Sequence, residues 1–102
     1  MTHFEIFKGK DGYYFRLVDA DEQAILVSRA YPSRRSANEG IKSIVENSKD
    51  KSVFERKTTK SGKHYFVIKS AKNGKILGKS SQYASVTGRE WSIIKVGRAQ
   101  AS

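Results

Sequence analysis

Apolar and polar positions along the chain form a pattern that is written twice. Phe4–Lys8, Tyr13–Asp19 and Ala24–Ala30 are short runs rich in aromatic and branched residues, the composition of strands. Gly9-Lys10-Asp11-Gly12 and Asp21-Glu22-Gln23 are the polar breaks between them, and Asp-Gly is a hairpin signal. The period then lengthens. Ala37, Ile41, Ile44 and Val45 stand at i, i+4, i+7 and i+8, one face of a helix. That helix begins at Pro32–Arg35, with Ser33 or Ser36 as N-cap and Ser36–Glu39 fitting a capping box. Gly40 falls on or beside the apolar face, so helix backbone and sheet are expected to approach closely there.

From Val53 the order repeats. Strands are expected at Val53–Thr58, His64–Ser70 and Ile76–Ser81, with turns at Lys60–Lys63 and Lys72–Lys75. The second turn carries Asn73-Gly74, the preferred type I′ pair. A second helix starts near Ser85, with Thr87–Glu90 as a capping box, and Trp91 and Ile94 flank its face of Val86, Ile93 and Val96. Phe4-Glu5 returns as Phe54-Glu55, Gly12 as Gly62, Tyr14-Phe15 as Tyr65-Phe66, Leu17 as Ile68, Ile25-Leu26 as Ile76-Leu77 and Tyr31 as Tyr83. The offset drifts only from 50 to 52, so at most two single-residue insertions separate the copies.

The fold class that follows is α+β: two tandem β-β-β-α repeats forming one antiparallel sheet, with both helices packed on one face and a pseudo-twofold between the halves. A unit of about 50 residues buries too little surface to be comfortable alone. The expectation is therefore one domain over residues 1–102, with repeat one at 4–50, repeat two at 53–97 and a frayed tail at 98–102. Strand alternation turns Phe15, Leu17, Phe66 and Ile68 toward the helices. Tyr14, Arg16, Val18, Tyr65, Val67 and Lys69 face the other way, onto an open sheet surface. The expected core is Phe4, Phe15, Leu17, Ile25, Ile41, Ile44, Phe54, Phe66, Ile68, Ile76 and Ile93.

Charge adds an asymmetry. The net charge is +10, yet residues 1–50 hold eight Lys/Arg against eight Asp/Glu, and residues 51–102 hold twelve against two. All the excess sits in repeat two. That suits a polyanionic partner: nucleic acid, an acidic protein or an anionic surface. It equally suits a solubilising role, because Lys fills exposed strand positions and guards sheet edges. There is no cysteine, which excludes disulfides, thiol catalysis and thiolate zinc sites. No apolar run approaches the roughly 20 residues of a membrane span, and the N-terminus lacks a signal pattern. A cytoplasmic location and no membrane partner are expected.

Ordered matches in both copies resemble the YegP-like family. They are Phe4–Lys8, Gly12–Leu17, Ile25-Leu26, Tyr31–Ser33 and Gly40–Ile44, then Phe54-Glu55, Gly62, Tyr65-Phe66, Asn73-Gly74, Ile76–Gly78, Tyr83–Ser85, Arg89-Glu90, Ile93 and Val96. The resemblance implies tandem three-strand-plus-helix repeats in one antiparallel sheet, in small bacterial proteins without an assigned activity. The chain departs from the family pattern in its second helix, where Trp91 precedes Ser92-Ile93-Ile94-Lys95-Val96.

Catalytic constellations do not assemble from the sequence. His3 and His64 lack a clustered carboxylate or thiol partner set. Gly78-Lys79-Ser80 ends like a phosphate-binding loop, but it lies inside an expected strand. Asp19, Asp21 and Glu22 offer too few oxygen ligands for calcium. The chain is therefore expected to be no enzyme, with no catalytic, cofactor or metal residues and no small-molecule substrate. The expected function is non-enzymatic binding: protein interaction or self-association through the open sheet face or an edge strand. The alternative is nucleic-acid binding by aromatics that stack bases and cations that hold phosphates. The candidate residues for either are Tyr14, Arg16, Lys57, Lys60, Lys63, Tyr65, Lys69, Lys72 and Lys75, with Phe7 beside them.

Overall fold

The computed structural model describes residues 2–100. Three strands come first: β1 (His3–Gly9), β2 (Gly12–Val18) and β3 (Ala24–Ser28). Helix α1 (Arg34–Asn47) and a single 3-10 turn (Lys51–Val53) lead to β4 (Phe54–Thr58), β5 (His64–Lys69) and β6 (Ile76–Ser80), and α2 (Val86–Arg98) completes the order. The strands form one sheet in the order β1-β2-β3-β6-β5-β4. Every neighbouring pair is antiparallel. The repeats join where β3 meets β6, with Val27 opposite Lys79 at the pseudo-twofold centre.

Both helices pack into one core cluster on one face, where Ala37, Ile41, Ile44, Ile93 and Val96 meet Phe15, Leu17, Phe54, Phe66 and Ile68. The expected core holds except at one residue, with Phe4 only partly buried against it. Leu26, Tyr31, Val53 and Ala99 join as well. Arg98 completes α2 and Ala99 is buried, so the chain is anchored through Ala99 instead of fraying from Arg98. Residues 101–102 of the expected tail lie outside the described residues.

The exception is Ile76, which is 48% exposed. Its cause is where the two inserted residues fall. Lys8 pairs with Tyr13 across a shorter hairpin than Thr58 with His64. Val18 pairs with Ala24 across a loop one residue shorter than that between Lys69 and Ile76. Both insertions therefore lie in repeat-two loops, and β6 matches β3 at an offset of 52. Ile76 takes the place of Ala24, not of Ile25, and Gly78 takes the place of Leu26.

The same insertion displaces the expected Asn-Gly turn. Ser70 N–H donates to Lys75 C=O at 2.9 Å and Gly74 N–H to Ser70 C=O at 2.9 Å. Only Gly74 takes a positive φ, 71°, whereas a type I′ turn needs two such residues in sequence. Its counterpart in repeat one is Glu22, at φ 62°, a conformation a side chain disfavours.

Helix caps settle at serines. Ser33 caps α1, with a reciprocal pair of bonds to Ser36, in place of the expected Ser36–Glu39 box. Ser85 caps α2 by accepting from Gly88 N–H, and Glu90 turns outward to Arg56 instead of closing a box with Thr87. Gly40 does bring α1 close: a Cβ there would lie 2.6 Å from Tyr31 Cζ and 2.9 Å from Phe15 Cε2.

Candidate interaction surfaces

The sheet face away from the helices carries a row of cross-strand neighbours spanning all six strands: Glu5, Arg16, Val27, Lys79, Val67 and Glu55. Acids hold both ends and cations lie between. Arg16 Nε donates to Glu5 Oε1 at 2.8 Å, and His3 bonds the other oxygen at 2.9 Å. In repeat two Glu55 takes Lys57 at 2.9 Å on one oxygen and Lys69 on the other. The hydrogen bonds from Lys69 and Lys57 hold the Glu55 carboxyl at about 2. Those to His3 and Arg16 lower Glu5.

The expected strand residues Tyr14, Arg16, Lys57, Tyr65 and Lys69 are thus on the open face but engaged with neighbouring side chains. Tyr14 stacks on Phe7, with ring centroids 5.6 Å apart, and its ring also lies over Gly9. Arg16 stands 5.4 Å from the Phe7 ring. Tyr65 is capped by the Lys79 ammonium, 5.1 Å from its ring centroid. Val18 and Val67, expected on this open face, are 1% and 3% exposed. Strand direction separates the remaining lysines. Lys60 and Lys63 precede β5, while Lys72 and Lys75 follow it, so the two pairs lie about 20 Å apart along the strand. The acidic β2–β3 loop shares the end of Lys60 and Lys63, since β2 and β4 run the same way. The nine candidates do not form one continuous basic patch.

The sheet's two edges differ. Tyr13 exchanges both backbone bonds with Tyr31, at 2.8 and 2.7 Å, so its groups point away from β1. Its partner Lys8 must then point its own N–H and C=O outward, and alternation extends this to Ile6 and Phe4. By the same reasoning from the His64–Tyr83 bonds, Thr58, Arg56 and Phe54 face outward on β4. There, however, Phe54 N–H is used by Lys51 C=O. The Arg56 guanidinium is clamped on Glu90 at 2.8–3.0 Å. The β1 edge is seven residues long, and Phe7 beside it is 36% exposed.

Three further features complete the surface. His3, Glu5 and Glu22 place ligand-capable atoms within 4.8 Å of one another; a cation bound there would compete with the Arg16–Glu5 pair. His3 opens β1, and strand register gives it the clustered carboxylates that its sequence neighbourhood was not expected to supply. A cleft beside the start of β4 is lined by Asp50, Glu55 and Lys69, among others, and Asp50 is occupied in capping the 3-10 turn, accepting from the Ser52 N–H and hydroxyl. Finally, α2 exposes Trp91 at 56% and Ile94 at 42%. An edge strand was expected as a docking element, but which edge is open was not, because side-chain patterns do not report where backbone groups point. The α2 residues were readable by aligning the helices, which sets Trp91 and Ile94 against Glu39 and Lys42.

Among the described residues no helix is long and apolar enough to cross a membrane. The family model for a domain of unknown function, DUF1508, matches residues 10–55. A UPF0339 protein of Pseudomonas aeruginosa is 40% identical over 97 residues, covering 94% of this chain and 87% of its own. The solution NMR structure of yegP from E. coli, a protein of unknown function, superposes with a TM-score of 0.86. It is 38% identical, with coverage of 98% of this chain and 89% of that one. A UPF0339 protein of Shewanella oneidensis, also solved by NMR, reaches 0.89 at 28% identity, with 99% and 86% covered. Sequence and architecture agree along nearly the whole length, and the chain belongs to the uncharacterised UPF0339 family, with the YegP proteins.

Proposed function

We propose that the protein is a non-enzymatic binding module that accepts a partner strand along β1, from a second copy or from another protein. The observation that carries this is the contrast between the two edges. Both end the same sheet, but β4 is short, charged and partly used internally. The backbone groups of Phe4, Ile6 and Lys8 instead form an outward row on a longer strand flanked by apolar side chains. A strand that adds there gains main-chain hydrogen bonds, and Phe7 and Ile6 offer contacts on its two faces.

Lys8→Pro tests this. It deletes an outward donor and leaves the β1–β2 ladder intact. Thr58→Pro makes the matching change on β4. Light scattering across a concentration series is expected to show association in the wild type and Thr58→Pro, and a monomer in Lys8→Pro. A wild type that stays monomeric throughout removes the self-pairing form. Association by Lys8→Pro equal to wild type removes the β1 edge altogether.

Nucleic-acid binding is the second reading. The surplus charge of repeat two favours it; the ion-paired face and the separated lysine pairs argue against it. A titration at two salt concentrations decides, since phosphate binding weakens steeply with salt.

A further inference from the structure

We infer that the outward stripe of α2, Trp91–Ile94–Lys95–Arg98, docks an amphipathic helix of another protein whose apolar ridge is flanked by acidic side chains. This surface is separate from the β1 edge. The four residues stand at i, i+3, i+4 and i+7, away from the buried side formed by Ser92, Ile93 and Val96. They make one continuous strip along the helix.

The fold does not demand apolar residues there. At an offset of 52, α1 carries Glu39, Lys42, Ser43 and Glu46 in the same places, and Glu39, Lys42 and Glu46 are exposed. The two helices share one sheet and one core, so α1 shows what this position looks like when only water meets it. In α2 the chain's one tryptophan stands there, with an isoleucine one turn on. Exposing both forgoes the burial energy of two large side chains, and tryptophan is a common energetic centre of interfaces.

The spacing and charge choose the partner. A ridge at i, i+3, i+4, i+7 meets the groove of another helix; a strand would need an edge, which α2 lacks. Glu90, the one acid of α2, is held by Arg56 and Arg89. Lys95 reaches the half-buried Asp19 only at 3.7 Å, a long ion pair that leaves the lysine 44% exposed. Lys95 and Arg98 are thus available to carboxylates on the incoming helix. Residues 51–102 carry the whole +10 while residues 1–50 are neutral, so two α2 strips repel each other, and an acidic partner is steered to this one.

Trp91 is its own reporter. The probe is a synthetic helical peptide with a leucine ridge flanked by glutamates, and the control keeps the ridge but replaces the glutamates with lysines. The glutamate peptide is expected to give a saturable blue shift of Trp91 fluorescence, weakening as salt rises. The lysine peptide is expected to bind about ten-fold more weakly or worse. The variant Ile94→Lys, Lys95→Ser, Arg98→Glu transplants the α1 residues and keeps the tryptophan. It should melt with the wild type and lose the shift, while Lys8→Pro should keep it. Equal response to both peptides, response to neither, or wild-type binding by the triple variant overturns the inference. A shift produced by protein concentration alone overturns it in favour of a second copy, and one produced only by anionic vesicles in favour of a lipid surface.

Discussion

Helix α1 crosses its half of the sheet over a glycine, and α2 crosses over a serine. Gly40 and Ser92 are equivalent positions, each facing the tyrosine that follows the third strand of its repeat. In repeat one the Tyr31 ring fills the space a Cβ would need, stacking on Phe15 with centroids 5.9 Å apart. In repeat two the Tyr83 phenol meets the Ser92 hydroxyl instead. Burial pushes both phenols up. One half closes by backbone approach and the other keeps a serine at the crossing. In this chain the repeat keeps the position of the aromatic ring and varies the means of covering it.

The pseudo-twofold centre is where the halves differ with the largest consequence. Leu26 is fully buried, and a Cβ on its counterpart Gly78 would lie 3.1 Å from Leu26 Cγ. One large and one absent side chain share the space. Leu26→Gly is expected to cost about 3 kcal/mol or more in urea unfolding, and Gly78→Leu about 1–3 kcal/mol through overpacking. The double exchange mirrors the native arrangement and should be less damaging than the sum, by a coupling above about 1 kcal/mol. Additive losses would show that the halves do not share this space.

The helix crossings give the next test. Gly40→Ser, which copies repeat two into repeat one, should destabilise by about 1–3 kcal/mol because Tyr31 and Phe15 cannot both stay. Ser92→Gly should cost about 1 kcal/mol, from helix propensity and a lost hydroxyl contact. Unfolding curves that rank the pair the other way would remove the close-approach account of Gly40.

The smallest effect separates the two acids of the open face. Glu55 has a folded value of about 2 against 4.5 for the free group. Its contribution is present above 4.5 and is lost as pH falls toward 2. Melting temperature should therefore drop through that window. Glu55→Gln should reduce the drop more than Glu5→Gln does, because two lysines hold Glu55. Equal slopes in thermal melts of the two variants would equate the sites.

Much of the fold was legible because paired aromatic and branched residues recur in order. Phe15 and Phe66, Leu17 and Ile68, and the helix faces around Ile41 and Ile93 all fall as their spacing requires. Ile76 was misplaced because a loop insertion is invisible when Ile-Leu stands in both copies one residue apart in structural register. Ser33 and Ser85 were findable as caps, but Glu90 was drawn to Arg56, 34 residues away in sequence. The open face followed from alternation, whereas its ion pairs did not. Glu5 and Arg16 meet only because of hairpin register, and Lys60 and Lys72 part only because β5 runs between them.

The leucine-over-glycine joint has a historical corollary. Two copies of the leading half would thrust Leu26 against its twin at the seam, and two of the trailing half would leave a hole where neither supplies a side chain. Whatever symmetric ancestor once paired with itself, its descendants have become lock and key. Cutting the gene in two would leave each half to pair with itself across a seam that is either overfilled or hollow.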